Sequence, residues 1–306
     1  MRNSVENANP LEACFEIGGC RLCVEGCDNS EGLRLLERFR TTDDACGADA
    51  FPPSRSFHVS FDSGASRPFD DGEILSQFQF DEINSRCVFS VKERQYQFVM
   101  YDSASGDPLV SMRHQYGDRT VYATQCSDIS AFRFALWFAY SLLAAPVHTT
   151  FVHSSVVVCQ GRAVLFLGES GTGKSTHTRL WLKNIRGARL LNDDSPVLST
   201  VSGRPVVYGS PWSGKTPCYV PLSFPLAAVV RLSQAPRNAM RRLSIPEAFA
   251  ALQPSLPPAL MQDEQYTDLL VDIISGTLSS VPAYHLQCLP DDDAALLSCK
   301  TIFGEL

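Results

Sequence analysis

Gly168-Glu-Ser-Gly-Thr-Gly-Lys-Ser175 satisfies the spacing G-x-x-x-x-G-K-[ST], the arrangement that cradles a nucleoside triphosphate. Each position has a physical reason. Glycine lets successive backbone N–H groups turn into one concavity, with Gly171 easing the curl, and a helix opening at the end of the run sets its positive pole against a phosphate chain. Lys174 is expected to reach the β- and γ-phosphates, and Ser175 to coordinate Mg2+ through its hydroxyl. Nucleotide contacts are therefore expected at Gly168, Glu169, Ser170, Gly171, Thr172, Gly173, Lys174 and Ser175, and at Thr176 beyond them, with ATP and Mg2+ as cofactors. A chance glycine-rich turn is the competing reading, and the apolar run before and helical pattern after the motif speak against it.

Asp193 and Asp194 follow an apolar run and stand where a carboxylate approaches the same magnesium. Neighbouring side chains diverge in an extended chain, so one acid can face the metal and the other an attacking hydroxyl. Asp-Asp-Ser-Pro is also good turn chemistry, which leaves a solvated turn as the alternative. His153, read as just ahead of the strand that leads into the loop, is a candidate neighbour of the acids or of a phosphate. A second segment, Gly209-Ser-Pro-Trp-Ser-Gly-Lys-Thr216, is no second phosphate loop, because Pro211 removes an amide and Pro217 blocks a following helix. Ser213, Gly214 and Lys215 are instead candidates for holding a phosphate or acidic group of the acceptor, with Trp212 as a wall; a plain structured loop is the other reading.

These residues need elements to hold them. Residues 155–159 and 163–167 are apolar or β-branched runs, the second feeding Gly168; a helix carrying Leu180, Trp181, Leu182 and Ile185 follows, and 188–191 predicts a strand delivering Asn192-Asp-Asp194. Residues 197–200 and 205–208 flank Ser202-Gly203 as a hairpin, and 225–232 predicts another strand. Ser244-Ile-Pro-Glu247 is a capping box, 266–278 has helical spacing, 283–289 predicts a last strand and Asp291 caps a last helix. Upstream, 21–24, 57–61, 87–91, 96–101 and 120–124 predict strands, 33–39 is open between strand and helix, and 43–56 and 62–72 read as loops. Residues 129–146, capped by Ser127 or Asp128 and stopped by Pro146, predict a buried helix. The division expected is a β-rich N-terminal domain over 1–125 and a phosphate-loop domain over 126–306.

The whole composition agrees with a folded globular protein: 306 residues, 44% apolar and 19% charged. A formal charge of −7 argues against nucleic acid and anionic membranes as partners and for a small-molecule, peptide or protein partner, leaving a homo-oligomer open. Residues 1–11 carry one Arg and no apolar stretch of the kind a secretory signal needs, which predicts a cytoplasmic protein. Eleven scattered cysteines then read as mostly free thiols. Cys20 and Cys23 have metal-ligand spacing, but lack a second matching pair; buried small hydrophobes are the favoured reading.

From His153 through the loop to Leu191-Asn-Asp-Asp194 the chain resembles the HPr kinase/phosphorylase-like P-loop proteins, which are related to ATP-dependent phosphoenolpyruvate carboxykinases. The similarity covers roughly residues 150 to 300 and is sharpest over 153–194. It implies an α/β P-loop core behind an unrelated N-terminal domain, ATP and Mg2+ as cofactors, and transfer of a phosphoryl group to a serine-type hydroxyl. Carried over by position, Asp194 resembles the base for that hydroxyl, Asp193 a metal or base partner, and His153 their neighbour. The Ile-Arg-Gly-x-Gly signature that bifunctional members carry after the acids is missing; Ile185-Arg-Gly-Ala188 precedes them. The segment 209–216 looks like that of shorter HPr-kinase-related proteins of unassigned substrate. The expectation is thus an ATP- and Mg2+-dependent kinase acting on a hydroxyl of a small molecule, peptide or protein. A non-catalytic ATP-binding regulator and a carboxykinase-like phosphotransferase are the alternatives.

Overall fold

The computed structural model of the chain describes residues 11–41, 51–61, 69, 71–214 and 217–304. They form a mixed α/β structure of two compact units, the first reaching Leu143 and the second running from Ala144, with Glu16–Gly19 grouped with the second. The loops expected at 43–56 and 62–72 fall largely outside the described residues.

In the first unit β1 (Leu11–Ile17), β2 (Cys20–Cys27), β3 (Ser56–Phe61), β4 (Glu73–Phe80), β5 (Ser85–Lys92), β6 (Gln95–Asp102), β7 (Pro108–Gln115) and β8 (Thr120–Ala123) form one sheet, in the order β1-β2-β3-β8-β7-β6-β5-β4. β4 to β8 make an antiparallel meander, and β3 runs parallel to both β2 and β8. The crossover from β2 to β3 contains a one-turn helix, α1 (Ser30–Arg34), whose Asn29 side chain accepts from the Gly32 N–H at 2.7 Å. That settles the start of the stretch 33–39 as helical.

Cys14 of β1 and Cys23 of β2 are joined by a disulfide, a pairing that the expectation of mostly free thiols missed. The hairpin turn at Gly18 and Gly19 brings the two together across neighbouring strands. The Cys20 and Cys23 spacing is no metal knuckle: three residues apart on a strand, their side chains leave opposite faces, and Cys23 is committed to Cys14. Among the described residues no group of three metal-ligating side chains comes together.

Asp128 rather than Ser127 caps α2 (Ile129–Ala144), accepting from the Ala131 N–H at 2.8 Å. Its aromatic residues lie on the first sheet: Phe132 stacks on Phe61 at 5.5 Å, Phe134 on Phe80 at 4.5 Å and Phe138 on Phe98 at 4.0 Å. The helix therefore belongs to the first unit, and the division falls after it rather than at 125/126, because these rings pack on β3, β4 and β6. By length and composition Ile129–Val147 is apolar enough to cross a membrane, and 67% of its most apolar window lies buried inside the protein.

The second unit contains β9 (Thr149–Phe151), β10 (Ser154–Cys159), β11 (Arg162–Leu167), α3 (Lys174–Asn184), β12 (Arg189–Asp194), β13 (Val197–Ser199), β14 (Val206–Tyr208), β15 (Ser223–Gln234), β16 (Ala239–Arg242), α4 (Ile245–Leu252), α5 (Glu264–Leu278), β17 (Ala283–Cys288) and α6 (Asp292–Phe303). The strand order is β12-β10-β11-β15-β14-β13-β9, with β17 on β15 and β16 on β17. β11, β15 and β17 run parallel, while β10 is antiparallel to both β11 and β12. Between Val156 and Val157 the β10–β12 register shifts: Val156 pairs with Asn192 and Val157 with Leu190, leaving Leu191 as an extra residue on β12.

All six residues of β10 and five of the six in β11 are buried, as expected of strands covered on both faces. One cover is made by α3 and α6. Trp181, Ile185, Ala295 and Cys299 from these helices bury Val157, Val164, Phe166, Val230, Leu232 and Leu286. Trp181 donates through Nε1 to Ser298 Oγ at 2.9 Å, so its one polar atom is satisfied inside this core.

Candidate functional site

Antiparallel pairing of β10 with two strands decides which residues meet. Ser155, at the start of β10, pairs with Phe166 at the end of β11 and with Asp193 at the end of β12. The loop that leaves β11, the acids that close β12 and His153 ahead of β10 therefore share one edge of the sheet. His153 lies before β10 rather than before the strand feeding the loop, one strand earlier than its place in the sequence suggested. This is the crevice outside the carboxyl ends of strands where open α/β sheets hold ligands.

Gly168 to Gly173 form an irregular turn, and Lys174 is the first residue of α3. The cap position, Gly173, has φ of 101°, a conformation that L side chains rarely adopt. Gly168 has no room for a side chain, since a Cβ there would collide with the Thr172 hydroxyl. The Lys174 ammonium folds back over the loop, donating to the Gly168 carbonyl at 2.7 Å and the Glu169 carbonyl at 3.2 Å. It also lies 3.1 Å from His153 Nε2. Burial pulls its pKa below the usual lysine range, against the opposing pull of Asp194 and Asp193. Thr172 donates its hydroxyl to the Glu169 carbonyl at 2.8 Å, while Glu169 stands 3.9 Å from Arg231 and Ser170 is exposed.

The two acids have different surroundings. Asp193 is buried and accepts through Oδ1 from the Ser155 hydroxyl and from the Ser175 hydroxyl, the latter at 3.2 Å. Asp194 accepts through Oδ2 from Ser195 Oγ at 2.9 Å and stands 3.4 Å through Oδ1 from His153 Nδ1. Burial pushes the Asp194 carboxyl up, but the His153 and Ser195 contacts and the charge of Lys174 together hold it below the usual carboxylate range. Asp194 is thus ionised at neutral pH and points toward a cation and an imidazole.

The segment that follows β14 is anchored to this edge. Asn192, fully buried, donates through Nδ2 to the Trp212 carbonyl at 3.1 Å and to Ser210 Oγ at 3.2 Å, and accepts from the Ser195 N–H at 3.0 Å. Ser213 forms a β-bridge with Asp194, and the Gly214 N–H donates to the Asp193 carbonyl at 2.9 Å. A Cβ at Gly214 would come within 2.9 Å of that carbonyl oxygen. Two expectations for this segment change. Trp212 does not wall an open site: its indole is buried edge-on against Phe151 at 5.1 Å. The Ser213 hydroxyl is turned into its own loop, where it accepts from the Cys218 N–H at 3.2 Å. Lys215, named with them, lies outside the described residues.

The structure thus gathers His153, Lys174, Ser175, Asp193 and Asp194 in one place, with Ser213 and Gly214 beside them. Sequence reasoning passed over Ser155, Asn192 and Ser195. A signal was there for Asn192, a polar residue closing a buried apolar run, which demands hydrogen-bond partners.

No protein-family model and no curated protein matches the sequence. Among solved structures, the chain is similar to the Hpr(Ser) kinase/phosphatase from Coxiella burnetii, at 16% identity over 48% of this chain and 90% of that one, with a TM-score of 0.30. At that TM-score the similarity fixes neither fold nor function.

Proposed function

We propose that the second unit binds ATP and Mg2+ at residues 168–176 and transfers the γ-phosphoryl group to a hydroxyl on a small molecule, peptide or protein. The observation that carries this reading is the division of labour in the acidic pair. Asp193 shares its oxygen with the Ser175 hydroxyl of the loop, whereas Asp194, one residue on, faces His153, Ser195 and Lys174.

Ser175 and Asp193 offer a hydroxyl and a carboxylate oxygen 3.2 Å apart, a hard donor set that suits Mg2+, which takes one or two protein oxygens and fills its remaining positions with phosphate and water. The metal, when bound, neutralises charge on the phosphates. The loop amides and Lys174 hold the triphosphate. Asp194 accepts the proton of the acceptor hydroxyl as its oxygen attacks the γ-phosphorus, and the bond to the bridging oxygen breaks to release ADP. An ionised carboxylate is ready for that role at neutral pH, and His153 fixes its orientation. The bridge of Ser213 to Asp194 and the bond of the Gly214 N–H to the Asp193 carbonyl support a role for the segment 209–214 in holding the acceptor.

A regulator that only binds nucleotide has no use for a second carboxylate set beside His153 and Ser195 rather than beside the Ser175 hydroxyl, so Asp194 separates the readings. Asp194→Asn is expected to keep ATP affinity and lower γ-phosphoryl transfer and ATP hydrolysis by about 10²- to 10⁴-fold. Asp193→Asn is expected to weaken magnesium-dependent ATP binding as well. Transfer from γ-labelled ATP to free serine, hydroxy acids and seryl peptides is the assay. Both variants performing at the parent level would defeat the kinase reading.

A further inference from the structure

A cleft of about 560 Å3 opens beside the loop, on the far side from the acids, walled by residues 171–173 and α3 and by the turns that leave β15 and β17. We infer that this cleft takes the heteroaromatic base of the nucleotide and recognises it by stacking, so that adenine and guanine nucleotides bind with similar affinity. The inference rests on the reading of 168–176 as a triphosphate site and adds the base and its selectivity.

Three observations carry it. First, placement: β11, β15 and β17 run parallel, and their carboxyl ends supply the loop and both turns of the wall, so the cleft continues the phosphate crevice in the direction opposite to Asp193 and Asp194. A triphosphate whose γ end lies at the acids has its nucleoside end here. Second, chemistry: Leu180, Leu232, Ala235, Pro236, Leu289 and Pro290 make the wall apolar. Third, the threonines, the glutamine and the histidine of the wall each spend a hydrogen bond within the protein. The Thr172 hydroxyl donates to the Glu169 carbonyl, the Thr176 hydroxyl accepts from Arg179 at 3.4 Å, and the Gln234 amide donates to the Gly171 carbonyl at 3.4 Å. His177 Nε2 faces Ser298 and Trp181, and its buried Nδ1 has no partner.

An apolar slot reads the shape of a ring rather than its donor and acceptor edge, which limits discrimination between purines to about tenfold. Burying about 100 Å2 of apolar surface between base and wall corresponds to roughly 50-fold in affinity.

Calorimetric titration of the full chain with ATP, GTP and tripolyphosphate, each with Mg2+, tests this. ATP and GTP are expected within about tenfold of each other and both at least about tenfold tighter than tripolyphosphate. Ala235→Trp, which fills the cleft, and Leu289→Asp, at a partly exposed position, are expected to bring ATP down to the tripolyphosphate level and leave tripolyphosphate unchanged. Equal binding of ATP and tripolyphosphate by the parent overturns the base site and leaves the phosphate loop standing, as does an ATP advantage that survives both substitutions. GTP more than about 100-fold weaker than ATP overturns stacking as the mode of recognition. No binding of any of the three overturns the phosphate-loop reading and the base site with it.

Discussion

His177 is a histidine that the fold holds neutral, and this makes the second unit acid-sensitive in a way that can be calculated. Its imidazole is 3% exposed, wedged edge-on against Phe166 at 4.8 Å and next to Trp181 and Ser298. Burial lowers its pKa from 6.5 to about 4. Between those two values the unfolded chain binds a proton that the folded chain refuses, so the contribution is complete above pH 6.5, shrinks as pH falls, and is gone once pH passes below the folded value. At 1.36 kcal/mol per tenfold change in proton affinity, the full loss is about 3 kcal/mol, of which about 2 kcal/mol falls between pH 7.5 and pH 5. Urea unfolding followed by tryptophan fluorescence at both pH values measures it, since Trp181 and Trp212 report on this unit. His177→Gln removes the titration, and its stability is expected to fall by about 2 kcal/mol less than the parent's over the same interval. A parent and variant that lose stability in parallel, within about 0.5 kcal/mol, would refute the argument that burial keeps this ring uncharged.

Other consequences are equally open to measurement. Lys174→Ala is expected to abolish detectable magnesium-dependent ATP binding or turnover while circular dichroism stays at the parent spectrum; unchanged binding and turnover would remove residues 168–175 from the site. Asn192→Ala strands the Ser195 N–H inside the protein and removes the amide bonds to the Trp212 carbonyl and Ser210 Oγ, a cost of about 2–3 kcal/mol, and loosens the segment 209–214 from β12. A urea midpoint that does not move would show that these contacts hold nothing. Phe138→Ala removes a ring stacked on Phe98 at 4.0 Å and set against Phe89 at 5.1 Å, and should lower the stability of the first unit by about 3–5 kcal/mol.

What the sequence made legible was local. The strand feeding Gly168, the helix opening at Lys174, the 197–208 hairpin and the Ser244 capping box each announce themselves within a dozen residues, and all are present. What it hid was pairing at a distance. Nothing near Asp193 says that Ser155, 38 positions earlier, will lie opposite it, because that follows from the order β12-β10-β11 and not from either segment. The aromatic residues of α2 declare that the helix is buried without saying by what, so the sequence divides the chain before this helix and the structure after it. β4 carries little signal because its edge position leaves residues such as Ile74 60% exposed and blurs the alternation. Trp212 sits in an irregular loop, where no periodicity tells which way a side chain turns.

The extra residue on β12 bears on how such a site tolerates change. Leu191 lies between two stretches that each pair in register with β10, so a chain lacking it could keep every partner of Asn192, Asp193 and Asp194 and close the ladder flush. The cost would be one of aim. A bulge bends and twists its strand, and the acids leave the sheet at the angle it imposes. Residue count in this strand is therefore as much a part of the site as residue type: a deletion that a sheet would accept redirects both carboxylates, and substitutions along 189–191 that preserve length leave their direction intact.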